Sequence, residues 1–212
     1  MNLIDHIRER LAKPLPGLDA HRVFVPDMPE SALRLAPPPA DARRSAVLVP
    51  LIAEVIDDLR IVFTVRSLSL RSHKGQISFP GGRIDEGEDV YTAALRELHE
   101  EIGVEPHDVT ILGELSPLYI PPSNSAVTPV VALIKKSRQW VISEAEVTEV
   151  LDIPFASFLD ATSISFEKRS LYGRLVDVPQ WNIHPSVPLW GATAMILNEL
   201  VWIVNEYMKE QR

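Results

Sequence analysis

The apolar residues between Asp89 and Ile102 recur at helical spacing. They are separated by four, three and four positions, and they are Tyr91, Leu95, Leu98 and Ile102. This spacing predicts an α-helix that packs one apolar stripe against a sheet. Gly103 follows directly, and glycine is common just beyond the end of a helix, so we expect the helix to stop there.

Several other segments have the continuous apolar or β-branched character of buried strands. Residues 46–53 and 60–66 predict a hairpin with Asp57-Asp58 at its turn. Two further strands are predicted at 109–112 and 127–134. The proline- and serine-containing segment between them, Pro117 to Ser125, is a candidate lid over a site.

The two ends of the chain have different patterns. Residues 1–12 alternate charged and apolar positions, as in an amphipathic helix. Residues 14–44 are rich in proline and predict an arm with little regular structure that lies on the surface. Residues 192–209 are strongly apolar and predict a last, largely buried helix.

These elements together predict the fold class. Strands and helices alternate without regular βαβ spacing, which favours an α/β sandwich with a mixed β-sheet and helical extensions at both ends. The length of 212 residues fits one domain. We divide it into an N-terminal helix and arm (1–44), a core (45–160) and a C-terminal extension with the last helix (161–212).

Composition narrows the classes of protein. No stretch is apolar over the length that a bilayer requires, and the charged N-terminal segment is unlike a secretory signal, so we expect a cytoplasmic protein without a membrane partner. The chain has no cysteine, which excludes disulfides, thiol nucleophiles and thiolate metal sites. A net charge of −8 argues against general nucleic-acid binding, although one anionic ligand could still bind in a locally basic cavity.

The strongest chemical pattern is a set of three carboxylates on the predicted helix. Glu97, Glu100 and Glu101 are spaced i, i+3 and i+4, so all three are expected on one face. Two such charges about 4 Å apart repel by roughly 4 kcal/mol at an effective dielectric of about 20, so a cation is expected between them. Oxygen ligands suit Mg²⁺ or Mn²⁺, which bind phosphates and lower the pKa of a bound water.

A plainer interpretation exists for each of these residues. Glutamates on helices usually form a solvated face, and an arginine beside a glutamate is usually a surface pair. The combination favours a phosphoryl-transfer site, because Gly82, Glu88 and the Arg96-Glu97 pair occur at fixed spacing behind the turn Phe79-Pro80-Gly81-Gly82.

Residues 82–104 match the Nudix box at every defining position, and the stretch from Ala46 to about Leu159 resembles the Nudix domain. The resemblance implies a Nudix-type α/β/α sandwich and hydrolysis of a nucleoside diphosphate linked to another moiety. It also implies the metal ligands. These are Glu97, Glu100, Glu101 and the main-chain carbonyl of Gly81.

The resemblance also implies catalytic and supporting roles. Glu97, Arg96 and Glu100 form the expected catalytic set, in which Glu97 helps to activate water and Arg96 orients the glutamates. Glu88 tunes the metal site from outside, while Gly82 and Gly103 serve backbone geometry. Family members often take a further acid from a later loop as the base, and three candidates remain open here: Glu144, Glu146 and Glu149.

The substrate is indicated by the segment from Arg66 to Gly82, which contains Arg66, Arg71 and Lys74 and no acid. These cations would suit a phosphate beyond the reacting diphosphate, although a basic strand end that balances an acidic helix is the alternative. The segment 63–82 resembles the coenzyme A pyrophosphatase branch of the Nudix hydrolases, with a departure at Leu68, and residues 189–194 resemble it too. This implies cleavage of coenzyme A or its acyl or oxidised derivatives to 3′,5′-ADP and 4′-phosphopantetheine.

Two alternatives stay open. The box alone also permits another nucleoside diphosphate derivative, such as ADP-ribose or NADH. A non-catalytic nucleotide-binding module is the third possibility, but its mark would be a degraded box. A homodimer through the N-terminal arm or the last helix is the only protein partner that we expect.

Overall fold

The structure is a computed structural model that describes residues 1–53, 58–70, 72–135 and 139–211. Its helices are α1 (Leu3–Leu11), α2 (Leu18–His21), α3 (Ala32–Leu35), α4 (Val90–Ile102) and α5 (Gly191–Glu210). Its strands are β1 (Arg43–Ala53), β2 (Leu59–Arg66), β3 (Ile77–Ser78), β4 (Gly81–Arg83), β5 (Val109–Glu114), β6 (Leu118–Ile120), β7 (Ser125–Ile134), β8 (Val147–Pro154), β9 (Ile164–Leu171), β10 (Arg174–Trp181) and β11 (Leu189–Trp190).

The larger sheet is mixed, as predicted. Its main strand order is β3-β2-β1-β7-β5. Strand β1 runs parallel to β7 and antiparallel to β2, with Leu51 opposite Ile61, which confirms the predicted hairpin. Asp57 of the predicted turn lies outside the described residues. Strand β1 also pairs antiparallel with the short strand β4, and this pairing brings the loop before α4 against the sheet.

Apolar side chains cover both faces of this sheet, because successive residues of a strand point to opposite sides. Leu48 and Ile52 of β1 pack in the cluster that includes Leu98 of α4. Val49 and Leu51 point the other way, into a cluster that includes residues of α1 and α5. Helices therefore lie on both faces, which confirms the predicted sandwich.

Helix α4 begins and ends where local chemistry predicts. The Asp89 side chain caps it by accepting a hydrogen bond of 2.8 Å from the Thr92 N–H, and Gly103 ends it in the left-handed conformation at φ 73°. The stripe differs at one position, since Tyr91 is 40% exposed. The buried face carries Ala93 and Ala94 instead, and these small side chains let the helix approach the sheet closely.

The N-terminal arm differs from the prediction, because it contains short helices and contributes to the core. Phe24 is fully buried and its ring lies 4.1 Å from that of Trp181. The buried carboxylate of Glu199 in α5 accepts hydrogen bonds from the Gly17 N–H (2.7 Å) and from the main chain and side chain of Ser116 (2.9 and 2.6 Å). The arm is thereby attached to the last helix.

Two further segments differ from their predictions. The candidate lid, residues 117–125, contains strand β6, which pairs with β7, so it is part of the sheet rather than an open loop. The C-terminal extension contains a second sheet in the order β11-β10-β9, which was not predicted. Helix α5 follows it, one residue longer at each end than predicted. Within the described ranges, no helix has the length and apolarity needed to cross a membrane.

Candidate active site

Three glutamates from two parts of the chain converge beside strand β4. One carboxylate oxygen from each of Glu97, Glu101 and Glu146 lies within 4.8 Å of the others. Glu97 and Glu101 are one turn apart on α4, and Glu146 directly precedes β8. We call this set the glutamate cluster.

Of the three later acids that the sequence left open, the fold brings one to this cluster. The Ser67 N–H donates a hydrogen bond of 2.8 Å to the carbonyl of Glu146 and holds that residue beside β2. Glu144 is exposed, and Glu149 is exposed with its carboxylate 3.2 Å from the His184 ring.

Glu101 is the most enclosed carboxylate of the cluster, at 1% exposure. Its pKa is raised to about 7, mainly by burial and also by the charges of Glu97 and Glu146, which together outweigh the lowering effects of Arg66 and the Gly81 N–H. The Arg66 guanidinium lies 3.8 Å from its carboxylate, and the Gly81 N–H donates to it at 3.4 Å. Such a group needs a proton or a nearby cation.

The Arg96 side chain contacts three glutamates simultaneously. It forms two hydrogen bonds to Glu88, of 2.8 and 3.0 Å, and its third nitrogen contacts Glu97 at 2.9 Å and Glu100 at 3.0 Å. Hydrogen bonds from Arg96 and from the Asp85 N–H lower the pKa of Glu88 to about 2. Burial raises the pKa of Glu97, and Arg96 opposes that effect. Arg96 is thus in direct contact with Glu88, Glu97 and Glu100.

Glu100 lies apart from the other helix glutamates. Its side chain is 51% exposed, bound to Arg96, and is not part of the glutamate cluster. The helix accounts for the difference: at about 100° per residue, Glu101 is rotated about 40° from Glu97 in one direction and Glu100 about 60° in the opposite direction, so Glu100 and Glu101 flank Glu97 on the same broad face. In this structure Glu97 and Glu101 therefore belong to the glutamate cluster, whereas Glu100 faces Arg96.

The donor atoms of the cluster fit a hard divalent cation. Three carboxylates supply oxygen ligands, and the main chain of Gly81 borders the same space through its bond to Glu101. Mutual repulsion and the raised pKa of Glu101 are both relieved by a bound positive charge. Oxygen-only sites of this type are typical of Mg²⁺ and Mn²⁺.

A cavity of about 590 Å³ opens beside the cluster, a size typical of small-molecule sites. Gly81, Gly82 and Arg66 belong to its wall, and Gly81 and Arg66 both contact Glu101, so the cavity borders the glutamate cluster. Its described lining includes four arginines and no aspartate or glutamate; the arginines are Arg34, Arg43, Arg66 and Arg83. In a chain of net charge −8, this is a locally basic cavity.

The three predicted substrate-binding cations have different positions. Arg66 lines the cavity, and its buried Nε has no hydrogen-bond partner among the described residues. Lys74 is exposed and is not among the described residues of the cavity wall. Arg71 lies outside the described residues.

Sequence reasoning missed the other cavity arginines, Arg34, Arg43 and Arg83. Strand alternation could have identified Arg43 from the sequence. It lies two residues before Ser45 and four before Val47, and all three line the cavity. The C-terminal extension also lines the cavity through Tyr172 and Trp190.

Comparison with known proteins places these features in a family. A family model of the NUDIX domain matches residues 42–167. The chain is 34% identical over 177 residues to the uncharacterized Nudix hydrolase NudL of Photorhabdus laumondii, covering 79% of this chain and 90% of that protein. It is 31% identical over 175 residues to Nudix hydrolase 3 of Caenorhabditis elegans, covering 76% and 72%.

A solved structure has the same fold. The Nudix hydrolase RenU from M. smegmatis superposes with a TM-score of 0.51 at 16% identity, covering 77% of this chain and 87% of that one. At this identity the likeness concerns the fold alone.

Proposed function

The chain belongs to the Nudix hydrolase family, and from that premise we propose that it cleaves the pyrophosphate bond of coenzyme A or its acyl or oxidised derivatives. The products are 3′,5′-ADP and 4′-phosphopantetheine, or its acylated form, and the required ion is Mg²⁺ or Mn²⁺. The cytoplasm remains the expected location, and a homodimer remains an expected assembly.

One observation carries the choice of substrate: the cavity beside the glutamate cluster is lined by four arginines and no described carboxylate. A bound metal ion already neutralises part of the charge of the reacting diphosphate. The four arginines of the cavity wall therefore provide more positive charge than those two phosphates require. Coenzyme A has a further phosphate on its ribose, so it matches this excess of positive charge.

The glutamate cluster supplies the reaction centre. A divalent cation held by Glu97, Glu101 and Glu146 would neutralise the diphosphate and lower the pKa of the attacking water. Arg66, which contacts Glu101 and also lines the cavity, is placed to bind a phosphate oxygen through its guanidinium group. Arg96 holds the Glu97 carboxylate in position, and the raised pKa of Glu97 suits it to accept a proton from water.

A substrate panel with product identification tests the proposal. Coenzyme A, ADP-ribose and NADH are incubated with the purified chain and Mg²⁺ or Mn²⁺, and products are identified by mass spectrometry. We expect equimolar 3′,5′-ADP and 4′-phosphopantetheine from coenzyme A, and no reaction after chelation with EDTA. Absence of these products with both metals contradicts the proposal, and a higher kcat/KM for ADP-ribose or NADH supports the alternative substrates.

A further inference from the structure

We infer that Arg34 and Arg43 form a second anion subsite at one end of the cavity, specific for a phosphate that is not part of the cleaved diphosphate. Naming that group as the ribose 3′-phosphate rests on the proposed function. The subsite itself rests on the positions and charges of the two arginines.

Strand β1 sets the distance between this subsite and the reaction centre. Arg43, Ser45 and Val47 alternate along β1 and all line the cavity. Val47 pairs with Gly81, which borders the glutamate cluster. Four residues at about 3.3 Å each place the Arg43 backbone roughly 13 Å along the strand from the level of Gly81.

The N-terminal arm brings Arg34 to the same end of the cavity. Helix α3, which carries Arg34, contacts strand β6. Ile120 at the end of β6 pairs with Ser125, and Ser125 pairs with Arg43. Arg34 and Arg43 therefore both line the cavity near the β6–β7 turn.

Neither arginine has a carboxylate partner among the residues that the structure describes. Within the described ranges, Arg34 and Arg43 form no ion pair, whereas Arg10, Arg60 and Arg96 each contact a carboxylate at 2.9 Å or less. Two unpaired guanidinium groups at one end of a cavity repel each other, and a phosphate dianion relieves that repulsion while accepting paired hydrogen bonds from each.

The cavity arginines therefore have two different roles. Arg66 lies 3.8 Å from Glu101 and so belongs to the reaction centre. The distant pair, Arg34 and Arg43, selects substrates that carry an extra phosphate and discriminates against those that lack it.

Kinetics on a matched pair of substrates test the subsite. We measure kcat/KM for coenzyme A and for 3′-dephospho-coenzyme A in the wild type and in the Arg34→Gln/Arg43→Gln double variant. The wild type is expected to prefer coenzyme A by at least about tenfold, and this ratio should fall close to one in the double variant. The exposed Arg22→Gln is the charge-matched control and should keep the preference. A preference that persists in the double variant, or equal losses on both substrates, overturns the inference.

A binding measurement separates this inference from the proposed function. Calorimetry compares adenosine 3′,5′-bisphosphate with AMP and requires no hydrolysis. Tighter binding of the bisphosphate to the wild type, lost in the double variant and partly kept in Arg34→Lys/Arg43→Lys, supports the subsite even if coenzyme A is not cleaved. Equal binding of the two nucleotides to the wild type overturns the subsite even if coenzyme A is cleaved.

Discussion

The carboxylate of Glu97 lies so close to the α-carbon of Gly82 that a Cβ at that position would overlap it. Gly82, the first glycine of the Nudix box, therefore leaves free the space that the Glu97 carboxylate occupies. Gly82, at the start of the motif, and Glu97, near its centre, are therefore in direct contact.

Gly82→Ala is expected to displace the Glu97 carboxylate, because the added methyl group and the carboxylate cannot share the same space. We expect kcat to fall by on the order of 10²-fold and the apparent affinity for Mg²⁺ to weaken, with a small change in thermal stability. Steady-state kinetics across a metal titration measure both effects. Unchanged metal affinity and kcat would show that Glu97 can move away without cost.

Glu97→Gln is expected to lower kcat by a factor on the order of 10³ while the protein remains folded, because a metal-bound charge mainly affects the transition state. Circular dichroism and thermal unfolding establish folding, and initial rates establish kcat. The control is Glu86→Gln, an identical change at an exposed position outside the cluster. Near-normal turnover in Glu97→Gln would mean that the reaction centre lies elsewhere.

Glu146→Gln is expected to reduce kcat by on the order of 10²-fold, since Glu146 is the later acid that completes the glutamate cluster. Glu144→Gln and Glu149→Gln are matched controls, because both side chains are exposed and outside the cluster. A metal titration should show weaker binding in Glu146→Gln alone. A large effect in either control with none in Glu146→Gln would reject the assignment.

The stability of the metal-free protein is expected to fall as pH rises from about 5 to 8. Burial, assisted by the charges of Glu97 and Glu146, raises the pKa of Glu101 to about 7 from its ordinary value of 4.5. The folded state then binds a proton that the unfolded state has lost, so this favourable contribution is present at low pH and disappears as pH passes 7. Bound Mg²⁺ should reverse the trend, because metal binding requires the ionised carboxylate.

Thermal unfolding with EDTA and with Mg²⁺, over the same pH range, measures this effect. Glu101→Gln without metal should be less sensitive to pH than the wild type. Identical pH profiles for the wild type and Glu101→Gln under EDTA would contradict the assignment of the effect to Glu101.

Glu199→Ala is expected to destabilise the fold by roughly 3–5 kcal/mol, because it leaves His21, Ser116 and the Gly17 N–H buried without their acceptor. Burial by itself raises the pKa of Glu199, but hydrogen bonds from His21, Ser116 and Gly17 outweigh it and the pKa is lowered. This contribution is therefore present above the ordinary pKa and is lost as pH falls through the folded-state pKa.

Urea unfolding measures the loss in Glu199→Ala, and Glu210→Ala on the same helix is the exposed control, expected within about 0.5 kcal/mol of the wild type. The folded fraction of Glu199→Ala should retain its kcat. A loss of activity without a loss of stability would assign Glu199 to the reaction instead.

The parts of the fold that were predicted correctly have local causes. Helix α4 follows from its N-terminal Asp89, its periodic apolar positions and Gly103, all within one short segment. Strands β1 and β7 follow from continuous apolar runs, which central strands require because both faces are buried.

The missed elements lack such local signs. Strand β9 contains consecutive charged residues at 167–169 and is largely exposed, so its sequence has no apolar pattern. Phe24 lies in an apolar run of only three residues, Val23 to Val25, and it packs against Trp181, which is distant in sequence.

The site shows the same division between local and distant causes. Glu97, Glu100 and Glu101 were found through their spacing, but their separation into cluster members and an outer residue depends on the orientation of α4. The position of Glu146 depends on the hydrogen bond from Ser67 and on the register shift between Val65 and Arg66 where β2 meets β8. No motif around Glu146 distinguishes it from Glu144.

The glutamate cluster lies entirely within residues 42–167, which match the family model, whereas part of the cavity wall comes from Arg34 before that range and from Tyr172 and Trp190 after it. Substitutions in the N-terminal or C-terminal segment can therefore change which substrate fits the cavity without altering the glutamate cluster. Among relatives that share this arrangement, substrate preference can diverge faster than the reaction itself, and exchanging the terminal segments is a direct route to engineering new preferences.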